Sequence, residues 1–124
     1  MTEYSQLDEA FITARFPELK EQIEQKMQSL GEFLPHVIFG DVFNALTVSL
    51  LQRDDYLKND TLRRIFDMYE QLASDGDEDV QSLVQVTLLE CLWDNKTVHE
   101  RASRLIGGQT RELWSCIADY LKTP

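Results

Sequence analysis

Between Ile65 and Asn95 the chain has no lysine and no arginine, yet it carries eight carboxylates: Asp67, Glu70, Asp75, Asp77, Glu78, Asp79, Glu90 and Asp94. Other things are scarce too. No apolar run is long enough to span a bilayer. The longest, Val37 to Leu51, is interrupted by Gly40, Asp41 and Asn44. The first ten residues are polar and acidic, without the basic and apolar regions of a secretory signal, so a cytoplasmic protein is expected. Two cysteines and two histidines, Cys91, Cys116, His36 and His99, make no metal-ligand spacing. Both cysteines fall in apolar helical patterns and read as buried reduced thiols. No cofactor is implied. Neither Ser103 nor Ser115 sits in a glycine elbow, and no nucleophile has a recognisable base, so an enzyme is not expected.

What is present is acid and apolar pattern. The 124 residues, one domain's worth over 1–124, have a net charge of −10 and 43% apolar content. The pI is near 4.5 and the mean hydropathy −0.34. Such a charge argues against nucleic acid and anionic membranes, because phosphate contacts need clustered lysine and arginine. The apolar residues are spread too evenly for a disordered chain.

Five glycines and three prolines punctuate the chain where helices should end. Helices are expected from Thr2 to about Arg15, with Leu7, Phe11 and Ala14 on one face, and from Pro17 to about Leu30, stopped by Gly31. Glu32 to Gly40 reads as a connector, with Asp41 as N-cap of a third helix running towards Leu51. Asn59 or Asp60 caps a fourth carrying Leu62, Ile65, Phe66, Tyr69 and Leu72. Gly76 supplies a left-handed break, and Asp77 caps a fifth with Val80, Leu83, Val84, Thr87, Leu88, Cys91 and Leu92 inward. A sixth covers Lys96 to Ile106. The seventh runs from about Thr110 to Leu121, with Leu113, Ile117, Tyr120 and Leu121 inward. No strand has a convincing period of two. The fold class is all-α, about seven short helices in an antiparallel bundle or a short α-solenoid-like array.

Ser74 to Asp79 is the densest acidic cluster. Calcium would need alternating ligands closed by a bidentate glutamate, and Val80, Leu83 and Val84 follow instead. Asp75, Asp77, Glu78 and Asp79 serve as helix caps on one reading and as a partner-binding edge on another, and the two roles are compatible. Trp93, beside Asp94, is either an interface anchor or an ordinary core hydrophobe at a helix end. Asp54, Asp55, Tyr56 and Asp60 form a second acidic and aromatic edge, at the opposite end of the fourth helix from Gly76. Lys96 to Arg111 holds four basic residues and one acid, and Arg101 and Arg104 are placed to pair with acidic helices.

The stretches Leu34-Pro-His-Val-Ile-Phe-Gly-Asp-Val-Phe-Asn44, Ile65-Phe-Asp-Met-Tyr-Glu-Gln-Leu-Ala73, Ser74-Asp-Gly-Asp-Glu-Asp-Val-Gln81 and Leu88-Leu-Glu-Cys-Leu92 resemble a family of small helical bacterial proteins. Some of its members look like immunity proteins of contact-dependent growth inhibition and related polymorphic toxin systems. The resemblance covers roughly residues 34 to 121 and carries no catalytic motif. It implies a protein that neutralises a cognate toxin, expected to be a nuclease with a basic cleft, by direct binding. A monomer or weak dimer is expected. The alternative is a helical adaptor binding another cytosolic protein without catalysis.

Overall fold

Side-chain caps mark where the helices begin. In the computed structural model, which describes residues 1–122, Asp8 accepts from the Phe11 amide and opens α1 (Glu9–Arg15). Asn59 accepts from Leu62 and opens α5 (Asp60–Asp75), Asp77 from Val80 for α6 (Glu78–Ser82), and Asn95 from Val98 for α7 (Lys96–Ser103). Each supplies an acceptor to an otherwise unpaired first-turn amide. Pro17 starts a 3-10 turn that runs into α2 (Lys20–Leu30), and Gly31 ends it with φ 80°, the left-handed conformation that glycine adopts without strain. α8 spans Gly108–Lys122.

Two helices contain a π segment. α3 (Pro35–Phe39) continues through Gly40–Asn44 in π geometry into α4 (Ala45–Leu51). α6 continues through Leu83–Leu89, also π, and a 3-10 turn at Glu90–Trp93. Taking 35–51 and 78–93 as continuous rods, there are seven helices and no β-strand among the described residues, which is the all-α architecture the pattern predicts. The two π segments pack together. Asn44 Nδ2 donates to the Thr87 carbonyl at 3.0 Å, supplying a partner where the wide π turn disturbs the regular ladder.

Several expected boundaries differ. Residues 32–40 are not a connector, because Pro35 begins a helix, and Asp41 is not a cap but lies inside that rod, 3.3 Å from Lys26. The first helix does not begin at Thr2, whose amide and carbonyl instead bond Asp75 O and Asp77 N across a one-residue bridge to Gly76. Gly76 is not left-handed (φ −76°, ψ 151°). Glycine is required there by space, since a β-carbon would collide with the Leu72 carbonyl and the Val80 side chain. Ala14, Tyr120 and Cys116 are exposed rather than inward, and Cys91 is half-buried. Leu121's side chain lies outside the described residues. Arg101 and Arg104 do not pair with acidic helices. Arg101 donates to the Leu51 and Arg53 carbonyls (2.7 and 2.9 Å), and Arg104 to the Tyr56 hydroxyl (3.1 Å).

α5 is the centre of the core. Leu62, Ile65, Phe66, Tyr69 and Leu72 are buried at helical spacing. The fully buried Tyr69 hydroxyl meets Thr47 Oγ1 at 3.3 Å, and burial pushes its pKa well above the ordinary value. α8 comes back to pack on both α5 and the Leu83–Leu89 segment. A solenoid unit touches only its neighbours along the chain. This return contact makes the fold a closed bundle.

A long-range carboxylate cap fastens α8. Glu70 Oε1 accepts from the amide and the hydroxyl of the buried Thr110 (2.8 Å each), and Oε2 accepts from the Gln109 amide at 3.1 Å. A β-carbon at Gly107 would lie 2.6 Å from that carboxylate, so glycine keeps the approach open. Burial opposes the Glu70 charge, but these hydrogen bonds outweigh it and hold the carboxyl below its usual range. A depressed native pKa gives stability that is present above the unfolded value of about 4.3 and is lost as pH falls through the native one. Glu70→Gln is therefore expected to cost about 1–3 kcal/mol at pH 7. In denaturant melts at a series of pH values, the gap from the parent should close as pH drops towards 3. A gap independent of pH would show that the carboxylate charge is not what holds α8.

Candidate functional site

The Gly76 turn gathers four of the expected acids. Asp77 Oδ1 caps α6 through Val80 N (2.9 Å), and its Oδ2 accepts from Tyr4 N at 3.1 Å. Asp75 accepts from the Thr2 hydroxyl at 2.8 Å and lies 3.6 Å from the Met1 amino group. Both carboxyls are held below their ordinary values. For Asp75 the cause is first the Thr2 hydroxyl and then the amino charge, and for Asp77 it is the amides of Val80 and Tyr4. These two are therefore structural as well as acidic. Glu78 and Asp79 point into solvent and make no ion pair among the described residues. Sequence reasoning missed the strap beside them, in which the Tyr4 hydroxyl meets His36 Nδ1 at 2.6 Å. Burial raises the Tyr4 pKa, against the His36 contact, and the Asp79 charge adds to the rise.

The second edge is different in kind. Asp55 is paired with Arg53 at 2.9 Å, and Asp60 with Arg63 at 2.7 Å and Arg64 at 3.2 Å. These hydrogen bonds lower both carboxyls. Tyr56 is buried, with the Arg101 guanidinium 4.6 Å from its ring centre. It forms the floor of a cavity of about 190 Å³ shared with Leu57, Asp60, Arg63, Phe66 and Leu105. Only Asp54 is exposed there without an ion pair. The 16 residues of α5 separate this edge from the Gly76 turn by about 24 Å, so the two do not form one compact site.

Trp93 is half-buried rather than projecting. Its ring centre is 4.2 Å from His99 and 4.9 Å from Trp114, and His99 stacks on Trp114 at 5.0 Å. Trp93 Nε1 and His99 Nε2 are buried without a hydrogen-bond partner among the described residues. Asp94, next to it, is exposed and makes no ion pair among the described residues. It lies about one helix length from Glu78. Burial, aided by Asp94, pushes the Cys91 thiol up to about 11, so at neutral pH it is not a thiolate nucleophile. Among the described residues no group of three or more His, Cys, Asp or Glu is placed to hold a metal ion. None of their helices is long and apolar enough to cross a membrane.

Glu78, Asp79, Glu90 and Asp94 are thus carboxylates without an ion pair on the rod 78–93 and at its end, and among the described residues Glu21, Glu24 and Glu32 are others elsewhere. The same rod meets α8 in a groove formed by Gln85, Val86, Glu90, Ile117 and Tyr120. Only the Val86 side of that groove had a signal in the chain, since a period that turns Leu83, Val84 and Leu88 inward leaves Val86 outward, whereas Tyr120 was expected inward.

A family described as a domain of unknown function (DUF7674) matches residues 10–121. The chain belongs to that family. The match takes in α2 to α7 whole, and α1 and α8 except for their end residues Glu9 and Lys122. It also takes in both acidic edges and the groove, and it excludes the Met1–Glu9 segment that straps the Gly76 turn. No curated protein and no solved structure matches the chain.

The division between structural and free acids has a direct consequence. Asp77→Ala removes a cap and the Tyr4 contact, and should lower stability by about 1–2 kcal/mol. Glu78→Gln and Asp79→Asn should each stay within about 0.5 kcal/mol. Thermal melts of the three variants check this. An equal loss in all three would mean that the exposed pair is also structural.

Proposed function

We propose that the chain is a cytoplasmic bacterial immunity protein, one that neutralises a cognate toxin by binding it through its acidic surface and catalyses no reaction. A nuclease domain is the expected toxin, because a cleft made to hold phosphate is basic. The observation that carries this reading is the distribution of paired and unpaired acids. Arg53, Arg63 and Arg64 neutralise Asp55, Asp60 and Asp67. Glu78, Asp79 and Asp94 stay exposed without such partners on a stretch that has no lysine or arginine at all. Unpaired like charges repel one another and are relieved by a cationic partner, and the net charge of −10 adds a long-range field that speeds encounter. Leu34–Asn44, Ile65–Gln81 and Leu88–Leu92 resemble a family of small helical bacterial proteins, some members of which look like immunity proteins, and that points the same way.

A pull-down from the source bacterium at low salt, eluted by a salt step, tests the proposal. It should release one basic protein with a nuclease-like domain. With that protein in hand, the double charge reversal Glu78→Lys/Asp79→Lys should weaken binding at least about tenfold, roughly 1.4 kcal/mol, mainly through a slower on-rate. Its melting temperature should move by only a few degrees. Comparable losses of binding and stability, or elution of several unrelated proteins, would overturn the assignment.

A further inference from the structure

On the rod 78–93, every fourth residue forms a line: Glu78, Ser82, Val86 and Glu90. All are exposed except Glu90, which is half-buried. On a regular α-helix a step of four residues overshoots one turn by about 40°, so such a line would wind around the rod. Here Leu83–Leu89 is a π segment, whose i to i+5 turns hold more residues, so a step of four falls short instead. The two drifts oppose each other and keep the line on one face.

At its middle the line adjoins α8. Val86 is 54% exposed and Tyr120 70% exposed, with Ile117, 1% exposed, as the floor between them. The groove they form with Gln85 and Glu90 has a volume of about 360 Å³. An aromatic ring and a branched aliphatic chain left in water on either side of a closed floor are the parts of an interface centre, and a polar rim completes it. Among the described residues that line the groove, the only charge is the carboxylate of Glu90. Glu78 starts the line with Asp79 next to it, Glu90 stands in the groove wall, Asp94 follows the end of the rod, and none of these carboxylates is ion-paired among the described residues. Like charges without partners attract a cation seated among them.

We propose that this face docks a basic amphipathic segment of a protein partner. One aliphatic or aromatic side chain of the segment enters between Val86 and Tyr120, and its lysines or arginines lie against Glu90 and Asp94 on one side and Glu78 and Asp79 on the other. This deepens the reading of the chain as an inhibitor of a basic protein and rests on it, and it names the surface that does the binding.

The test uses three synthetic 18-residue peptides against the isotope-labelled full chain, followed by NMR at low salt. The first has leucine on one helical face and lysine and arginine on the other. The second keeps the charges with serine for leucine, and the third keeps leucine with glutamate for the basic residues. The first peptide should shift the signals of Gln85, Val86, Glu90 and Tyr120 most. It should bind at least about tenfold more tightly than the second, and the third should not bind. Val86→Ser and Tyr120→Ser should each remove most of that advantage without altering the melting temperature, since both side chains are already exposed. Glu90→Gln/Asp94→Asn should weaken both basic peptides and flatten their salt dependence. Shifts confined to the Gly76 turn, or equal binding of the first two peptides, would overturn the groove while leaving an acidic docking protein intact. Failure of both basic peptides to bind would overturn the groove and the broader reading together. Self-association in sedimentation that Val86→Ser abolishes would overturn the proposal by assigning the face to a second copy of the chain.

Discussion

α5 has to bury Leu62, Ile65, Phe66, Tyr69 and Leu72 on a single rod, and no one neighbour can cover them all. The chain meets this demand from several directions. α4 approaches with Thr47 against Tyr69. The Leu83–Leu89 segment runs alongside, and α8 closes the remaining side. The carboxylate of Glu70, on the same helix, fastens α8 by its N-terminal amides. The acid that gives α5 part of its charge is thereby also a structural clamp, and the negative end of the clamp suits the positive end of the helix it holds.

The same economy governs the other acids. Asp77 caps a helix and takes the Tyr4 amide, while Asp60 is shared by two arginines. Exposed pairs of this kind contribute little to stability. Their effect on the surface is to cancel the field locally. Among the acids left uncancelled are those along the rod 78–93, where the exposed Val86 lies between them and beside Tyr120. The π segment belongs to this arrangement twice over. It aligns Glu78, Val86 and Glu90 on the outside, and on the inside it seats against Gly40 and Asn44 of the other π segment.

The local signals in the chain were reliable where the physics is local. Asn59, Asp77 and Gly31 mark helix ends through bonds or backbone angles that involve only a few adjacent residues, and each does what its position suggests. The apolar period of α5 was equally legible. The errors arose where a distant contact decided the outcome. Gly40 and Asp41 look like a helix break, yet packing against Thr87 carries the helix through them in π form. Gly76 looks like a left-handed stop, but its backbone is extended because Thr2 pairs beside it and Val80 fills the space above it. Tyr56, an aromatic residue beside acids, is buried under Arg101 and Arg104, while Trp93 is half-buried against His99 and Trp114, in keeping with the core-hydrophobe alternative.

The amino-acid order alone therefore determined the all-α class, the places where most helices start, the apolar stripe of the central helix and the excess of acid, because each depends on spacing and composition. Only the tertiary structure decided which carboxylates are spent internally and which stay free. It also brought Tyr120 beside Val86 and drew Glu70 onto α8. Those outcomes depend on residues tens of positions apart meeting in space, which pattern along the chain does not encode.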